Sequence, residues 1–160
     1  MSAWPEPVER VSSVLRAAAI DARIEEFPSG TRTAREAARA VGAERAQIVK
    51  SLVLVCDGSY VLALVPGDGR VDERAVADAV PATYVRIARP EEVVEATGFE
   101  PGGVAPFPRG ASSHVLIDRS LLRHDLVWIG AGTDSHMAAL APADLQRLAG
   151  ARAFDLVARG

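Results

Sequence analysis

Two nearly unbroken apolar runs, Ile48 to Cys56 and Tyr60 to Val65, stand on either side of Asp57-Gly58, and this arrangement limits the possible folds more than any other feature. Asp-Gly between runs rich in β-branched residues marks a tight hairpin whose turn needs positive φ. Strands with one wet face alternate apolar with polar residues. These do not, so both are expected to be central strands covered on both faces.

The flanking sequence offers the covering layers. Val8, Val11, Val14 and Leu15 recur at helical spacing and predict an amphipathic helix from about Glu6 to Ala19. Ala22 to Phe27 alternates and reads as a short strand ended by Pro28-Ser29-Gly30. Thr33 with Glu36 forms a capping box for a helix through Val41, and Gly42 fits its left-handed end. Asp72 caps a helix through Val80, Tyr84 to Ile87 reads as a strand, and Pro90 opens a helix closed by Gly98. Further strands are expected at His114 to Ile117, Leu126 to Gly130, His136 to Leu140 and Ala153 to Val157, with a helix from Pro142 to Leu148. This mixture of hairpins and intervening helices predicts an α/β (α+β) domain built on a mixed central β-sheet.

Composition narrows the class. Residues 1–160, 49% apolar and 24% charged, suit one globular domain. The opening residues lack the basic segment and apolar stretch of a secretory signal, and no apolar run approaches the roughly 20 residues that span a bilayer. A cytoplasmic location with no membrane partner is the expectation. A net charge of −3 argues against broad attachment to nucleic acid while leaving room for a local contact. The arginines at 10, 16, 23, 32, 35, 39 and 45 read most simply as solvated helix faces. Cys56, the one cysteine, ends an apolar strand and reads as a buried structural thiol. The three histidines have no close pair and no cysteine partner, which speaks against a metal site.

Lys50 is the single lysine beside seventeen arginines, and it stands inside the first apolar run. A composition that replaces lysine wherever arginine serves makes this exception notable, because a compact ammonium and a planar guanidinium recognise different geometries. The simple reading is a strand-edge lysine with its head in water; the functional one is a desolvated cation awaiting a ligand.

Two loops could carry chemistry with it. Phe99 to Ser113 is too rich in glycine and proline for regular structure; Gly102-Gly103 allows close approach of backbone, and the prolines stiffen it, so amides there could face a substrate carbonyl. It lacks the spacing of a phosphate loop or a dinucleotide fingerprint. Gly130-Ala131-Gly132-Thr133 follows a strand and leads to His136, which reads as a hydrogen-bonded structural residue or a substrate contact. No nucleophile elbow and no carboxylate pair stands out.

The residues Arg32-Thr33-Ala34-Arg35-Glu36-Ala37-Ala38, Gln47-Ile48-Val49-Lys50-Ser51-Leu52, Leu62-Ala63-Leu64-Val65-Pro66-Gly67-Asp68 and Ala96 to Phe107 occur in the same order as in a known family. Together with Ala131-Gly132 and Leu140 to Leu145, they resemble the YbaK family of aminoacyl-tRNA deacylases, which is related to the editing domain of bacterial prolyl-tRNA synthetases. The resemblance covers nearly the whole chain.

It implies a trans-editing hydrolase on a mixed-sheet, partly barrel-like fold with surrounding helices, needing no cofactor and no metal. The ester joining a wrong amino acid to tRNA would be cleaved at a site containing Lys50 and the glycine-x-x-x-proline motif of Gly102 and Pro106. The catalytic set is then Lys50, Gly102, Gly103 and Val104, and the substrate-binding set Phe27, Thr31, Ser51, Pro106, Gly132, Thr133 and His136. The implied partners are the acceptor end of an aminoacyl-tRNA and, in addition, an aminoacyl-tRNA synthetase. Where many members carry a basic turn after the late strand, this chain has Gly132-Thr133-Asp134-Ser135-His136. Proline tRNA carrying cysteine, as in the name-giving group, and alanine or another small residue, as in relatives, both remain open. A different class stays beside it: a non-catalytic module of the same fold that binds aminoacyl-tRNA, a synthetase or a small ligand.

Overall fold

A computed structural model describes residues 4–158; residues 1–3 of the segment read for a leader, and 159–160 of the expected domain, lie outside the described residues. The predicted hairpin forms its centre. Strands β2 (Val49–Cys56) and β3 (Ser59–Pro66) pair antiparallel from Val49 with Pro66 to Cys56 with Ser59. Asp57 and Gly58 both have positive φ, 49° and 85°, as a twist-matched two-residue turn requires.

On the far side of β3, β5 (His114–Asp118) and then β8 (Arg152–Phe154) join in parallel, and β4 (Val85–Ile87) pairs with the end of β2, giving the order β4-β2-β3-β5-β8. A smaller antiparallel sheet has the order β1-β7-β6, from β1 (Ile24–Glu26), β6 (Val127–Gly130) and β7 (His136–Leu140). One parallel bridge, Ile48 with Trp128, joins the two sheets. The partial barrel is therefore corrected: among the described residues both sheets are open and meet at a single bridge, with no ladder to close them.

Alternation along the hairpin explains its continuous apolarity. Val49 and Val53 of β2 with Leu62 and Leu64 of β3 enter the main core, which also holds Val127, Ile129, Ala138 and Leu140 of the small sheet. That core takes Val11 and Leu15 of helix α1 (Glu6–Ala17), Ala96 of α4 (Pro90–Thr97) and Leu145 of α5 (Pro142–Ala149). Leu54, Cys56, Val61, Ala63 and Val65 project the other way and meet Val76 of α3 (Glu73–Ala79). Both faces are thus dry, as the sequence demanded, and each buried Val or Leu contributes about 1.5–3 kcal/mol. Cys56 is buried, and burial pushes its thiol up from 9.0.

Local end signals appear as read. Thr33 accepts the Glu36 amide at 3.1 Å before α2 (Ala34–Val41), and Gly42, Gly98 and Gly150 close their helices in the left-handed region. Four details differ. The first helix ends at Ala17 because Ala19 turns to φ 55° and the Ile20 amide donates to Leu15 O. The last strand stops at Phe154 because the Leu156 amide donates to the Asp118 carboxylate at 2.7 Å instead of to a neighbouring strand. Short 3₁₀ turns at Arg45–Gln47 and Arg119–Arg123 were not visible in the pattern. Among the described residues no helix is long and apolar enough to cross a membrane.

Candidate active site

The meeting of the two sheets leaves one stretch of β2 uncovered. β4 pairs with it only from Leu54 to Cys56, and β6 reaches only Ile48. Between them, Val49, Lys50, Ser51 and Leu52 line a cavity of ≈ 440 Å³, together with Thr31, Gly67, Gly102, Val104, Gly130 and Met137. A free strand edge is how neighbours from opposite faces of one strand reach the same space.

Close backbone contact builds the surrounding loops. A β-carbon on Gly103 would lie 2.7 Å from Thr133 Cα, and one on Gly130 would lie 2.9 Å from Val104 O, so the two glycine loops pack main chain to main chain. Gly132, at φ 109°, presses in turn on Pro7 O, where a β-carbon would stand 2.6 Å away. The glycine-proline loop is held at its base. Phe99, Ala105 and Phe107 are buried, Arg10 donates to Gly98 O at 2.7 Å, and its guanidinium lies 4.5 Å from the Phe99 ring centre. Pro106 sits among these anchors and does not line the cavity.

Of the three amides expected to serve a carbonyl, the Gly103 N–H is committed, donating to Glu100 O at 3.0 Å. Those of Gly102 and Val104 have no acceptor among the described residues, and both residues line the cavity. Ser51 brings a hydroxyl whose Oγ is inaccessible to solvent and has no hydrogen-bond partner. A buried hydroxyl without a partner is costly, and a ligand atom would relieve it.

Lys50 is half-buried and its ammonium donates to Gly69 O at 2.7 Å. Its stem follows the face of Leu52, Leu54 and Cys56, opposite Ser51. Burial holds its pKa below 10.5, Arg45 and Arg70 push the same way, and Asp68 opposes them. Arg32, Arg35 and Arg45 also line the cavity, and no carboxylate does. These arginines were read as a solvated face. What the sequence could not carry is that Thr33, Ala34 and Arg35, the start of α2, line the same cavity as Val49 to Leu52 of β2.

The remaining expected residues stand behind this surface. Thr31 lines the cavity and is tied down twice, its amide and hydroxyl both donating to Asp134 O at 2.7 and 3.1 Å. The Phe27 amide donates to Ser135 O at 2.6 Å, and its ring meets Trp128 edge-on with centres 6.4 Å apart. His136 is buried at 4% exposure and is not part of the cavity wall. Its Nδ1 contacts Thr133 Oγ1, which already accepts the Ser135 amide at 3.2 Å. Its Nε2 lies 3.8 Å from the Glu26 carboxylate. Trp4 stands edge-on to the same ring at 5.5 Å. Among the described residues no group of three or more His, Cys, Asp or Glu side chains is placed to hold a metal ion.

Comparison with known proteins gives the family and the fold. The family model for the aminoacyl-tRNA editing domain matches residues 28–148. The uncharacterised protein YwhH of Bacillus subtilis is 32% identical over 123 residues, covering 76% of this chain and 78% of that protein. A proline–tRNA ligase of Acidithiobacillus ferrooxidans is 33% identical over 141 residues, 82% of this chain but 25% of the ligase. The chain thus spans about a quarter of that ligase's length. Among solved structures, one described as a candidate trans-editing enzyme for prolyl tRNA synthetase superposes with a TM-score of 0.90 at 38% identity, over 98% of this chain and 100% of that one. The chain belongs to the aminoacyl-tRNA editing domain family, and its fold is that of these YbaK-like proteins.

Proposed function

We propose that the protein is an aminoacyl-tRNA deacylase acting in trans on mischarged tRNA, with proline tRNA carrying cysteine, alanine or another small amino acid as substrate. The observation that carries this reading is the composition of the cavity: four cationic residues, two main-chain amides without acceptors and an unpartnered hydroxyl, with no carboxylate among them. A ligand suited to it has a negative charge at one end and a carbonyl at the other. The terminal aminoacylated nucleotide of tRNA has both.

In this reading Arg32, Arg35, Arg45 and Lys50 hold the phosphate and ribose, and the amides of Gly102 and Val104 stabilise the charge that develops on the ester oxygen. Ser51 meets a polar group of the amino acid or ribose. Thr31 shapes the wall, while Phe27, Gly103, Pro106, Gly132, Thr133 and His136 keep the loops in place. Water adds to the ester carbon, the tetrahedral oxyanion collapses, and the ribose oxygen leaves with the proton given up by the water as the free amino acid is released; where a side-chain group of the amino acid attacks instead, the amino acid leaves as its cyclic ester or thioester, which water then opens. Ser51 has no base within hydrogen-bonding distance, so positioning, more than a protein nucleophile, drives the step. The acceptor end of tRNA is the primary partner, a prolyl-tRNA synthetase is a second one, and the cytoplasm is the compartment that fits both.

The absence of a general base from the cavity wall favours a second reading, a module that binds aminoacyl-tRNA without turning it over. A panel of mischarged tRNAs tests both. Release of cysteine, alanine, serine or threonine above the buffer rate supports the deacylase; saturable binding with no release supports the module.

A further inference from the structure

Several arginines away from the cavity are neutralised: Arg86 pairs with Glu92 at 2.8 Å, Arg119 with Asp155 at 3.2 Å and Arg147 with Asp144 at 3.2 Å, whereas Arg23, Arg74, Arg109, Arg123 and Arg152 make no ion pair among the described residues. Around it, Arg32, Arg35, Arg39, Arg45 and Arg70 have no ion pair among the described residues. Three of these line the cavity beside Lys50, in a chain whose net charge is −3.

These charges continue past the cavity wall. Arg35 and Arg39 are exposed and lie one turn apart on the outer face of α2, opposite the buried Ala37 and Ala38, with a rise of about 6 Å between them. Arg39 does not line the cavity, and neither does Arg70. Arg70 is exposed and follows Gly69, whose carbonyl accepts the Lys50 ammonium at 2.7 Å. Cations thus continue past the cavity wall at Arg39 on α2 and at Arg70 beside the Lys50 contact. Cations that outnumber the carboxylates beside them, Glu36 on α2 and Asp68 near Lys50, suit a partner carrying a chain of anions.

We propose that Arg39 and Arg70 extend the cavity's cations into an RNA-backbone band, which takes the phosphodiester strand of the acceptor arm beyond its terminal nucleotide. This rests on the deacylase reading for the identity of the RNA. The band itself is a claim about binding.

The test uses the full chain and an uncharged RNA hairpin with the acceptor-stem sequence and a 3′ CCA end, titrated by fluorescence anisotropy across a range of salt. Arg39→Gln and Arg70→Gln, singly and together, are compared with Arg119→Gln, which removes the same charge from a paired arginine. The expected result is several-fold weaker binding for the first two, with the slope of log Kd against log salt reduced by about 1 for each arginine lost, and an unchanged slope for Arg119→Gln. Unchanged affinity and slope in the double variant overturn the band. So does an equal loss in Arg119→Gln, or an acidic peptide of matched charge that binds as tightly as the hairpin. The hairpin carries no amino acid, so absent deacylation combined with the expected slopes rejects the enzyme reading and leaves the band standing.

Discussion

Gly103 meets Thr133 main chain to main chain, with space for no atom between them: a β-carbon on the glycine would be 2.7 Å from Thr133 Cα and 2.8 Å from its carbonyl carbon. This contact holds the loop bearing the Gly102 and Val104 amides against the loop that follows β6. Since the obstacle is backbone, no side-chain rotation can absorb an added methyl. Gly103→Ala is expected to separate the loops, costing about 1–3 kcal/mol in stability through overpacking. It should lower deacylation by more than the unfolded fraction explains. Urea denaturation with hydrolysis measured on the folded protein checks this, and a variant that keeps both stability and rate would show that the contact positions nothing.

Lys50 gives a pH signature. Burial, then Arg45, then Arg70 hold its folded-state pKa below the 10.5 of the unfolded chain. Below the lowered value both states are protonated and the fold carries the full cost of the confined charge. Between that value and 10.5 the unfolded chain binds more protons, so this cost is relieved as pH rises. Wild type is therefore expected to gain stability relative to Lys50→Met as pH climbs from neutral toward 10.5. Paired urea titrations read the difference, and a flat or falling difference would refute the depressed pKa. At neutral pH the same variant should lose deacylation through a raised KM, since it removes a cation from the phosphate end.

Much of the fold was legible because its signals are local. Thr33, Glu36 and Gly42 bracket one helix, Asp57-Gly58 fixes one turn, and the dry faces of β2 and β3 follow from their uninterrupted apolarity. The site was legible as a list of segments and less so as a geometry. Lys50 and Ser51 are neighbours in one motif, yet strand alternation turns them to opposite faces, and only the free edge of β2 returns both to the cavity. Arg32, Arg35 and Arg45 look like any solvated helix face until long-range packing of α2 on Ile48 and Met137 brings them to the cavity that β2 also lines. His136 was found next to Thr133, but its inward orientation depends on the pairing of Glu26 with His136 across β1 and β7, which no local pattern encodes.

Ser51 separates a binding role from a structural one. Its hydroxyl is buried without a partner, so Ser51→Ala removes a desolvated polar atom and breaks no hydrogen bond. Stability should hold or rise slightly, where loss of a satisfied hydroxyl would have reduced it. If the hydroxyl meets the substrate, kcat/KM on mischarged tRNA should drop about 3- to 10-fold, the worth of one neutral hydrogen bond. Thermal melts and steady-state kinetics together decide it. A destabilised variant with unchanged kinetics would place Ser51 in the fold and outside the reaction.

The clamp between β4 and the start of α4 should fail in acid. Glu92, near the start of α4, accepts two hydrogen bonds from Arg86 of β4, both 2.8 Å, and the Arg89 amide at 2.9 Å. The Arg86 guanidinium first, and then the Arg89 amide, hold its carboxyl down from 4.5 to about 2. A depressed carboxylate stabilises the fold fully above its unfolded value, and this contribution fades as pH falls from 4.5 through about 2. Glu92→Gln keeps the amide contact but loses the charge. Wild type should be the more stable of the two at pH 5 and above, and the gap should close on acidification toward pH about 2. Denaturation of both proteins across that range measures it. A gap independent of pH would mean that shape, and not charge, holds β4 to α4.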